Sequence, residues 1–365
     1  MNLYEYWLAG SLAIPGKKKI KLKAMFPEVG ELYRLKPSQV EGISFLTGLE
    51  QEKLKERQAV PEEELGRQAS YCRAHNIGLV LWGDKDYPVR LRDIYNPPYG
   101  LFYRGRLPVE AQASVAVVGA RNCSPYGRAA AEDIGYRLAQ AGIAVISGMA
   151  AGIDGAGHQG ALRAGGQTYG VLGCGIDVCY PPGHRKLYGA LAAQGGVISE
   201  YPPHTKPYAM LFPQRNRLIS GMADAVLVVE AKEKSGSLIT ADFALEQGKE
   251  VYAVPGRASD ALSRGTNRLI RQGAGIFLSV GDFLEEMGVF KKEPGPSTEK
   301  QKISLEKMER VLYSCLGFHA KNLDRIMEET GFSLGELLPY LASLQEKGCI
   351  LEVYKNYYAR AGDPV

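Results

Sequence analysis

A chain of 365 residues is too long for one ordinary hydrophobic core, so its length predicts two or three domains. Its 45% hydrophobic and 23% charged residues are typical of a soluble protein, and no run of 18 apolar residues predicts a membrane span. The net charge is only +4, but residues 114–280 hold 16 basic and 12 acidic residues and so carry this whole excess, as an anion-binding domain requires.

The six cysteines are scattered along the chain, which favours reduced thiols rather than disulfides. The one close pair, Cys174 and Cys179, has neither a second pair nor a histidine at the spacing of metal ligands. No basic and apolar leader opens the sequence. We therefore expect a cytoplasmic protein with no metal and no membrane partner.

The first 75 residues predict short helices with little strand signal. Their apolar spacing indicates helices over residues 3–12 and 20–26, and Pro37 begins another. Residues 14–16, Ile-Pro-Gly, predict a turn between the first two helices. We expect a small helical module over residues 1–75.

From residue 114 the pattern changes to short apolar runs that alternate with helical segments. Such runs are typical of a parallel sheet covered by helices on both faces. Ser124 and Pro125 predict a helix start, and Gly142 predicts its end. We expect a doubly wound, Rossmann-like α/β domain that spans residues 76–288 when the short strands and turns of 78–108 are included. The predicted strands are 115–118, 144–146, 168–172, 196–199, 225–229, 250–254 and 276–278.

The last part of the chain predicts a linker and a small third domain. Residues 289–302 are polar, hold two prolines and lack periodicity, as linkers do. Residues 303–365 predict three helices and a hairpin, which together make a winged-helix module. The helix in the recognition position carries Glu336 and Glu346 and contains Pro339, so we expect it to contact a partner protein or a nucleic-acid backbone rather than base edges. The predicted helices are 305–316, 323–330 and 333–347, and the predicted hairpin is 349–359.

Three turns rich in glycine and hydroxyl groups each connect an apolar run to a helical segment. They are residues 119–121, 147–152 and 235–237. The backbone N–H groups at a helix start have no intrahelical partner and can bind an anion. Because the carboxyl ends of parallel strands converge, we expect the turns to form one phosphate-binding edge, to which residues 212–217, Phe-Pro-Gln-Arg-Asn-Arg, add two cations.

Arg121 stands in the first turn, where a dinucleotide-binding turn would need a small residue. Gly119 begins no GxGxxG motif and no acidic residue is placed for a ribose, which argues against a nicotinamide or flavin site. A guanidinium at the end of a strand can bind a phosphate through two hydrogen bonds. The alternative is that Arg121 pairs with a neighbouring acid.

Acidic residues and histidines near these turns resemble parts of a catalytic or metal site. Asp154 and His158 lie four residues apart and share a helix face, but neither a third ligand nor a nucleophile accompanies them. We interpret the pair as fixing the glycine-rich loop, and give the same structural interpretation to Asp177, His184 and Glu200. No catalytic residue is predicted.

Two loops interleave cations with aromatic residues. Arg185 and Lys186 follow Tyr-Pro-Pro, and Lys206 precedes Pro207 and Tyr208. Single-stranded nucleic acid needs cations for its phosphates and π-faces for its unpaired bases. The loops therefore favour a single-stranded nucleic-acid ligand.

Longer strings of this sequence resemble the core of the DNA-processing protein A (DprA or Smf) family in order and spacing. The strings are SGMAAGIDGAGHQGAL, GCGIDVCYPPGHRKL, FPQRNRLISGMADAVLVVEAKEKSGSLITADFAL and VYAVPG. The resemblance is dense over residues 78–285, whereas the flanks are similar more loosely to the family's SAM-like or helix-hairpin-helix region and winged-helix domain. Residues 14–17, Ile-Pro-Gly-Lys, lack the second glycine of a DNA-backbone hairpin, and Gly-Ala-Arg replaces the more usual Gly-Ser/Thr-Arg.

The resemblance implies a protein that binds single-stranded DNA without sequence preference, protects incoming DNA and loads the RecA recombinase in natural transformation. It implies a homodimer formed through the Rossmann-like domain, and neither catalysis nor a cofactor. The positions that match the family's DNA pocket are Gly119, Arg121, Arg185, Lys186, Arg215, Asn216, Arg217, Gly236 and Ser237. Dimerisation maps to Leu269, Ile270, Ile276 and Phe277.

Two other functions stay open at this point. A hydrolase or sensor of a phosphorylated nucleotide would need an acid beside residues 235–237, and the nearest, Glu230 and Glu233, have no evident partner in the sequence. A winged-helix regulator is disfavoured by the acidic recognition helix.

Overall fold

The computed structural model describes residues 2–288, 305–317 and 320–361. The chain forms two compact units, Met1–Phe290 and Lys291–Val365. The predicted linker, residues 289–302, lies outside the described residues. No helix in the described ranges is long and apolar enough to cross a membrane.

Six helices occupy residues 2–76, all of which the structure describes. Their apolar faces meet in one core that holds the fully buried Trp7, Leu22 and Leu65. The same core includes Phe102 of the neighbouring sheet, so these helices belong to the first unit. The helices are α1 (Leu3–Ala9), α2 (Gly16–Met25), α3 (Val29–Tyr33), α4 (Pro37–Glu41), α5 (Gly48–Gln58) and α6 (Glu62–Ala74).

Within residues 2–288 a nine-stranded sheet forms the centre of the unit. Its strands are β1 (Gly78–Leu81), β2 (Gly100–Gly105), β3 (Ser114–Val118), β4 (Ala144–Ser147), β5 (Thr168–Leu172), β6 (Gly196–Ser199), β7 (Ala225–Val228), β8 (Glu250–Ala253) and β9 (Gly275–Ile276). Their order is β1-β2-β6-β5-β4-β3-β7-β8-β9. Strands β3 to β9 are parallel, and β2 joins β6 antiparallel at one side. The predicted α/β fold with a mostly parallel sheet is confirmed.

Helices cover both faces of this sheet. The alternation of side chains along β3 divides them, because Val115 and Val117 lie in one core and Ala116 and Val118 in the other. The first core contains residues of α7 (Pro125–Gln140), α8 (Ile153–Arg163) and α13 (Val280–Glu286), and the second contains residues of α10 (Leu211–Met222), α11 (Gly236–Glu246) and α12 (Arg264–Arg271). Helix α9 (Arg185–Gln194) precedes β6.

Local signals fixed several helix boundaries. The Ser124 hydroxyl accepts a hydrogen bond from the Gly127 N–H at 2.9 Å, with Pro125 as the first residue of α7. Gly142, just beyond the end of α7, has φ +77°. The last strand is shorter than the predicted 276–278, because Ser279 already caps α13 by accepting a hydrogen bond from the Asp282 N–H.

The second unit is described over residues 305–317 and 320–361. Its elements are α14 (Lys307–Cys315), β10 (Lys321–Asn322), α15 (Leu323–Thr330), α16 (Leu334–Glu346), β11 (Ile350–Tyr354) and β12 (Tyr357–Arg360). The strands form an antiparallel sheet in the order β10-β12-β11. Glu309 is buried and pairs with Lys347 at 2.6 Å, and the hydrogen bonds from Lys347 lower the pKa of that carboxyl to about 2.

Candidate nucleic-acid interface

The three predicted turns meet at the carboxyl edge of the sheet. Strand β3 lies between β4 and β7, where the strand order reverses, and this crevice is the usual ligand position in open α/β sheets. The Ala120 N–H donates to the Glu230 carbonyl at 2.8 Å, and the Ile153 N–H donates to the Ala120 carbonyl at 3.2 Å. A Cβ on Gly119 would approach that Glu230 carbonyl to 2.9 Å. Gly119 therefore permits close contact between the turns.

The protein's own Glu230 occupies the start of α7. Its carboxylate accepts hydrogen bonds from the Ser124 N–H at 2.8 Å and the Ser124 hydroxyl at 2.5 Å. A Cβ on Gly127 would collide with this carboxyl group. The prediction that Glu230 lacks a partner is thus wrong, because its partner lies 106 residues away in the sequence. The start of α7, which follows the first turn, therefore binds an internal anion.

Asp154 occupies the second turn in the same way. Its carboxylate is buried and accepts a hydrogen bond from the Gly148 N–H at 3.1 Å. Burial raises the pKa of Asp154, whereas the Arg215 guanidinium and the backbone N–H groups of Gly148 and Gly119 oppose that rise. The interpretation of Asp154 as a residue that fixes the glycine-rich loop is confirmed.

His158 is also structural. Its Nδ1 lies 2.6 Å from the hydroxyl of Thr168, and its ring is fully buried. Burial lowers the pKa of His158 to about 3, so the ring is neutral at physiological pH. No group of three or more potential metal ligands occurs among the described residues.

The third turn remains open. Ser235 caps α11, and its hydroxyl lies 2.7 Å from that of Ser237. A Cβ on the exposed Gly236 would meet no described atom within 4 Å. The exposed Lys232 and Lys234 precede the turn. The Ser237 N–H makes only a long hydrogen bond, 3.4 Å, to the Ser235 hydroxyl, so the exposed backbone of this turn and the nearby cations make it suitable for an external phosphate.

Side chains of helix α10 bind the backbone of the second and third turns. The Arg215 side chain is only 4% exposed and donates from Nη1 to the carbonyls of Gly148, at 2.6 Å, and Val171. Burial lowers the pKa of Arg215, and the neighbouring Asp154 carboxylate opposes this effect. Asn216 donates to the Gly236 carbonyl at 3.1 Å. These contacts join the second and third turns to one helix.

Arg217 also points inward. It pairs with Glu200 at 2.5 Å, and both side chains are largely buried. The motif predicted that Arg215 and Arg217 are cations at the surface. In the structure both side chains are buried, and carbonyl and carboxylate oxygens accept their hydrogen bonds. The structural interpretation of Glu200 is confirmed.

Other cations of this edge are exposed, unlike the buried Arg215 and Arg217. The Cζ atom of Arg121 lies 5.3 Å from the centre of the Phe212 ring, and the Tyr180 ring lies 5.5 Å from the same ring. Among the described residues Arg121 has no acidic partner, so pairing with a neighbouring acid is not what the structure shows. Arg185 and Lys186 are exposed at the start of α9.

We call this set the carboxyl-edge surface; it comprises Arg121, Tyr180, Arg185, Lys186, Phe212, Gly236 and Ser237. Phe212 and Tyr180 were absent from the predicted site residues. The sequence held a signal for both, since each aromatic residue stands a few positions before a basic pair in a proline-bearing segment. An exposed arginine beside an aromatic ring can bind a phosphate while a neighbouring ring stacks a base.

Two loops beside this surface are fixed by polar contacts. Asp177 accepts hydrogen bonds from the His204 N–H at 2.7 Å and the Tyr71 hydroxyl at 3.0 Å. His184 Nδ1 lies 3.0 Å from the Met149 carbonyl. The structural interpretation of Asp177 and His184 is confirmed.

The four residues assigned to dimerisation fall into two groups. Leu269 and Phe277 are 4% and 7% exposed and lie in the unit's own cores, and Ile270 is partly buried. Ile276 is 50% exposed on β9, the last strand of the sheet. Of the four, only Ile276 therefore contributes to the exposed apolar surface at this edge, together with the exposed Leu278.

Comparisons with known proteins agree on one family. Residues 78–288 match the family described as DNA recombination-mediator protein A. The DNA processing protein DprA of Bacillus subtilis (strain 168) is 40% identical over 225 residues, 61% of this chain and 76% of that protein. Protein Smf of Escherichia coli (strain K12) is 34% identical over 319 residues and covers 85% of both chains.

Two solved structures are similar to this chain. The X-ray structure of DNA processing protein A from Streptococcus pneumoniae has a TM-score of 0.67 and 35% identity and covers 78% of this chain and 98% of that one. The DNA processing protein A of Helicobacter pylori, whose structure concerns its single-stranded DNA binding mode, has a TM-score of 0.54 and 27% identity. It covers 58% of this chain and 96% of that one.

Proposed function

The chain belongs to the DNA recombination-mediator protein A family, and on that premise we propose that it binds single-stranded DNA along the carboxyl-edge surface. One observation carries the proposal. Internal carboxylates occupy the start of α7 and the second turn, whereas the third turn is open at Gly236 and is joined through Asn216 to α10, whose Phe212 lies against Arg121. The relative from Helicobacter pylori, a single-stranded DNA-binding protein by its description, supports the same ligand.

The predicted site residues take two roles in this proposal. Arg121, Arg185, Lys186, Gly236 and Ser237 contact DNA through phosphates. The remaining residues position the turns from within, because their polar atoms already bind other parts of the chain or lie at close backbone approaches; they are Gly119, Arg215, Asn216 and Arg217. Bases stack on the rings of Tyr180 and Phe212. Because every base has a π-face, this stacking gives no sequence preference.

We expect tighter binding to single-stranded oligonucleotides than to duplexes of equal length. Each cation that neutralises a phosphate releases counterions, so the logarithm of the association constant falls by roughly 0.7 per contact for each unit of log salt concentration. Fluorescence anisotropy titrations at several salt concentrations measure both quantities. An affinity that does not depend on the salt concentration, or tighter binding to duplex, contradicts the proposal.

The proposed binding requires no catalysis. A nucleotide hydrolase or sensor would need an acid aimed into the crevice. Glu230 is hydrogen-bonded to Ser124 and Asp154 to Gly148, so these two carboxylates hold turns together. The third nearby acid, Glu233, is exposed, and no described residue orients it towards the turn. This engagement favours DNA binding over nucleotide chemistry.

We also propose a homodimer formed at the β9 edge of the sheet. An exposed edge strand with an apolar residue is stabilised when it is paired or covered, and a two-fold contact covers it with one surface. The exposed Ile276 supports this edge, whereas Leu269 and Phe277 contribute from within the core.

Ile276→Arg is expected to give a folded monomer, because a charge at a half-exposed edge opposes self-association without opening the core. Multi-angle light scattering measures the mass, and circular dichroism verifies the fold. Leu269→Arg serves as the contrasting variant, since its 4% exposed position predicts loss of the fold. If the Ile276→Arg protein is still a dimer, its interface lies away from the β9 edge.

The family description and the second unit suggest the wider role. A recombination mediator must pass its DNA to a recombinase, and we propose that this chain protects incoming single strands and loads RecA in the cytoplasm during natural transformation. The three helices and small antiparallel sheet of residues 305–361 support a winged-helix domain at 303–365. The helices of residues 1–75 support a SAM-like domain beside the Rossmann-like domain of residues 76–288.

A further inference from the structure

Helix α12 presents a row of arginines on its outer face. Arg264, Arg268 and Arg271 are four and three residues apart, so they lie along one side of the helix. All three are exposed, whereas Thr266 and Leu269 are buried on the other side. In the described part of the chain none of the three guanidinium groups has an acidic partner or a hydrogen-bond acceptor. The row therefore carries unneutralised charge at the surface.

The first turn of α12 is joined directly to the segment that precedes the open turn. The Gly265 N–H donates to the Ala231 carbonyl at 2.8 Å, and the Ala231 N–H donates to the Leu262 carbonyl at 2.7 Å. A Cβ on Gly265 would come within 2.7 Å of the Lys232 carbonyl oxygen. The start of α12 therefore lies next to the exposed segment that carries Lys232, Glu233 and Lys234 and leads into Ser235.

A fourth exposed arginine lies in a segment that is hydrogen-bonded to α12. Asn267 exchanges two hydrogen bonds with the backbone of Gly256, at 3.1 and 2.9 Å, and so fixes the segment that carries the exposed Arg257 against α12. The acid nearest in sequence, Asp260, accepts a hydrogen bond from the Leu262 N–H at 3.0 Å. We call Arg257, Arg264, Arg268 and Arg271 the arginine ridge.

We propose that the arginine ridge is a second binding segment for the DNA backbone, which guides a strand from the open turn at Gly236 towards β9. This inference rests on the proposed function. Guanidinium groups bind phosphate oxygens through two hydrogen bonds, and the row on α12 spans about 10 Å at a rise of about 1.5 Å per residue. Self-association is a poorer use of the ridge, because a two-fold contact would oppose arginine to arginine.

The test uses the full chain and two lengths of oligo(dT). A strand of about 6 nucleotides is near the lower limit of single-stranded sites and fits the carboxyl-edge surface, whereas one of about 30 nucleotides extends beyond it. The variant Arg264→Gln/Arg268→Gln/Arg271→Gln removes three charges from the ridge. The matched control, Arg67→Gln/Arg137→Gln/Arg163→Gln, removes three ion-paired arginines from the surface of α6, α7 and α8.

We expect the ridge variant to bind the long strand about tenfold or more weakly at moderate salt, with the salt slope reduced by roughly 2 for three lost contacts. Its affinity for the short strand, and both affinities of the control, stay within about twofold of the unmodified protein because only nonspecific attraction changes. If the ridge variant and the unmodified protein bind the long strand with equal affinity, the proposed role of the arginine ridge is wrong. It is also wrong if the variant loses equal affinity for both strands, because the arginines then belong to the carboxyl-edge surface. A change of oligomeric mass in light scattering overturns it in favour of self-association. If the unmodified protein binds neither strand, the proposed function fails instead.

Discussion

Arg215→Ala is expected to lower the free energy of unfolding by about 1–3 kcal/mol for each buried carbonyl that loses its hydrogen-bond donor. The substitution leaves the carbonyls of Gly148 and Val171 without their donor, and it removes the positive charge that opposes the raised pKa of Asp154. Urea denaturation followed by circular dichroism measures the change. DNA binding should be lost with the fold at denaturant concentrations that the unmodified protein tolerates.

Arg121→Ala is the matched control for this experiment. It removes the same group from the same edge of the sheet, but Arg121 is exposed and its guanidinium rests on Phe212 only. We expect its unfolding midpoint to match that of the unmodified protein. If Arg215→Ala is as stable as Arg121→Ala, then Arg215 does not hold the turns together and its role must be at the surface.

The six central strands of the sheet, β3 to β8, were predictable from the sequence because each is a mostly apolar run. Strands β5 and β6 begin and end at the predicted residues, and β3, β4, β7 and β8 differ by one residue at one end. A strand buried on both faces needs only apolar side chains, which a single sequence displays directly. Helix starts such as Ser124 were predictable for a similar reason, since the capping side chain lies beside the helix that it caps.

The polar arrangement of the site was less predictable, because its partners are distant in the sequence. Three glycine-rich turns indicated three anion sites. The role of Asp154 in the second turn was predictable because its partner lies six residues away, whereas no local pattern shows that Glu230 binds Ser124 at the start of α7. The motif around Arg215 and Arg217 indicated surface cations in the same way. Both side chains instead bind oxygens of other elements in the interior, and a local sequence pattern does not show whether an arginine points inward or outward.

Apolar residues near the sheet edge illustrate the same limit. Leu269 and Ile276 are both apolar and lie seven residues apart, yet one is buried under the sheet and the other is half-exposed on its last strand. The difference follows from which face of α12 meets the sheet and from where the sheet ends. Neither property can be read from hydrophobicity alone.

Arg121→Ala is also expected to weaken single-stranded DNA binding by about 1.5–3 kcal/mol, the range for a hydrogen bond to a charged group. That loss corresponds to roughly one to two orders of magnitude in the dissociation constant. Arg121→Lys should recover part of the affinity, because a lysine keeps the charge but binds a phosphate without the paired hydrogen bonds of a guanidinium. Anisotropy titrations with one oligonucleotide at one salt concentration compare the variants.

Arg163→Ala is the matched control for binding, since Arg163 also lies over an aromatic ring, with its Cζ 4.9 Å from the centre of Tyr136. It lies at the end of α8, away from the carboxyl edge, and pairs with Glu132. The two substitutions remove the same group and the same type of ring contact, so a difference in affinity between them reports position. Because a general loss of positive charge would weaken both proteins alike, equal affinities for Arg121→Ala and Arg163→Ala would mean that DNA binds elsewhere on this chain.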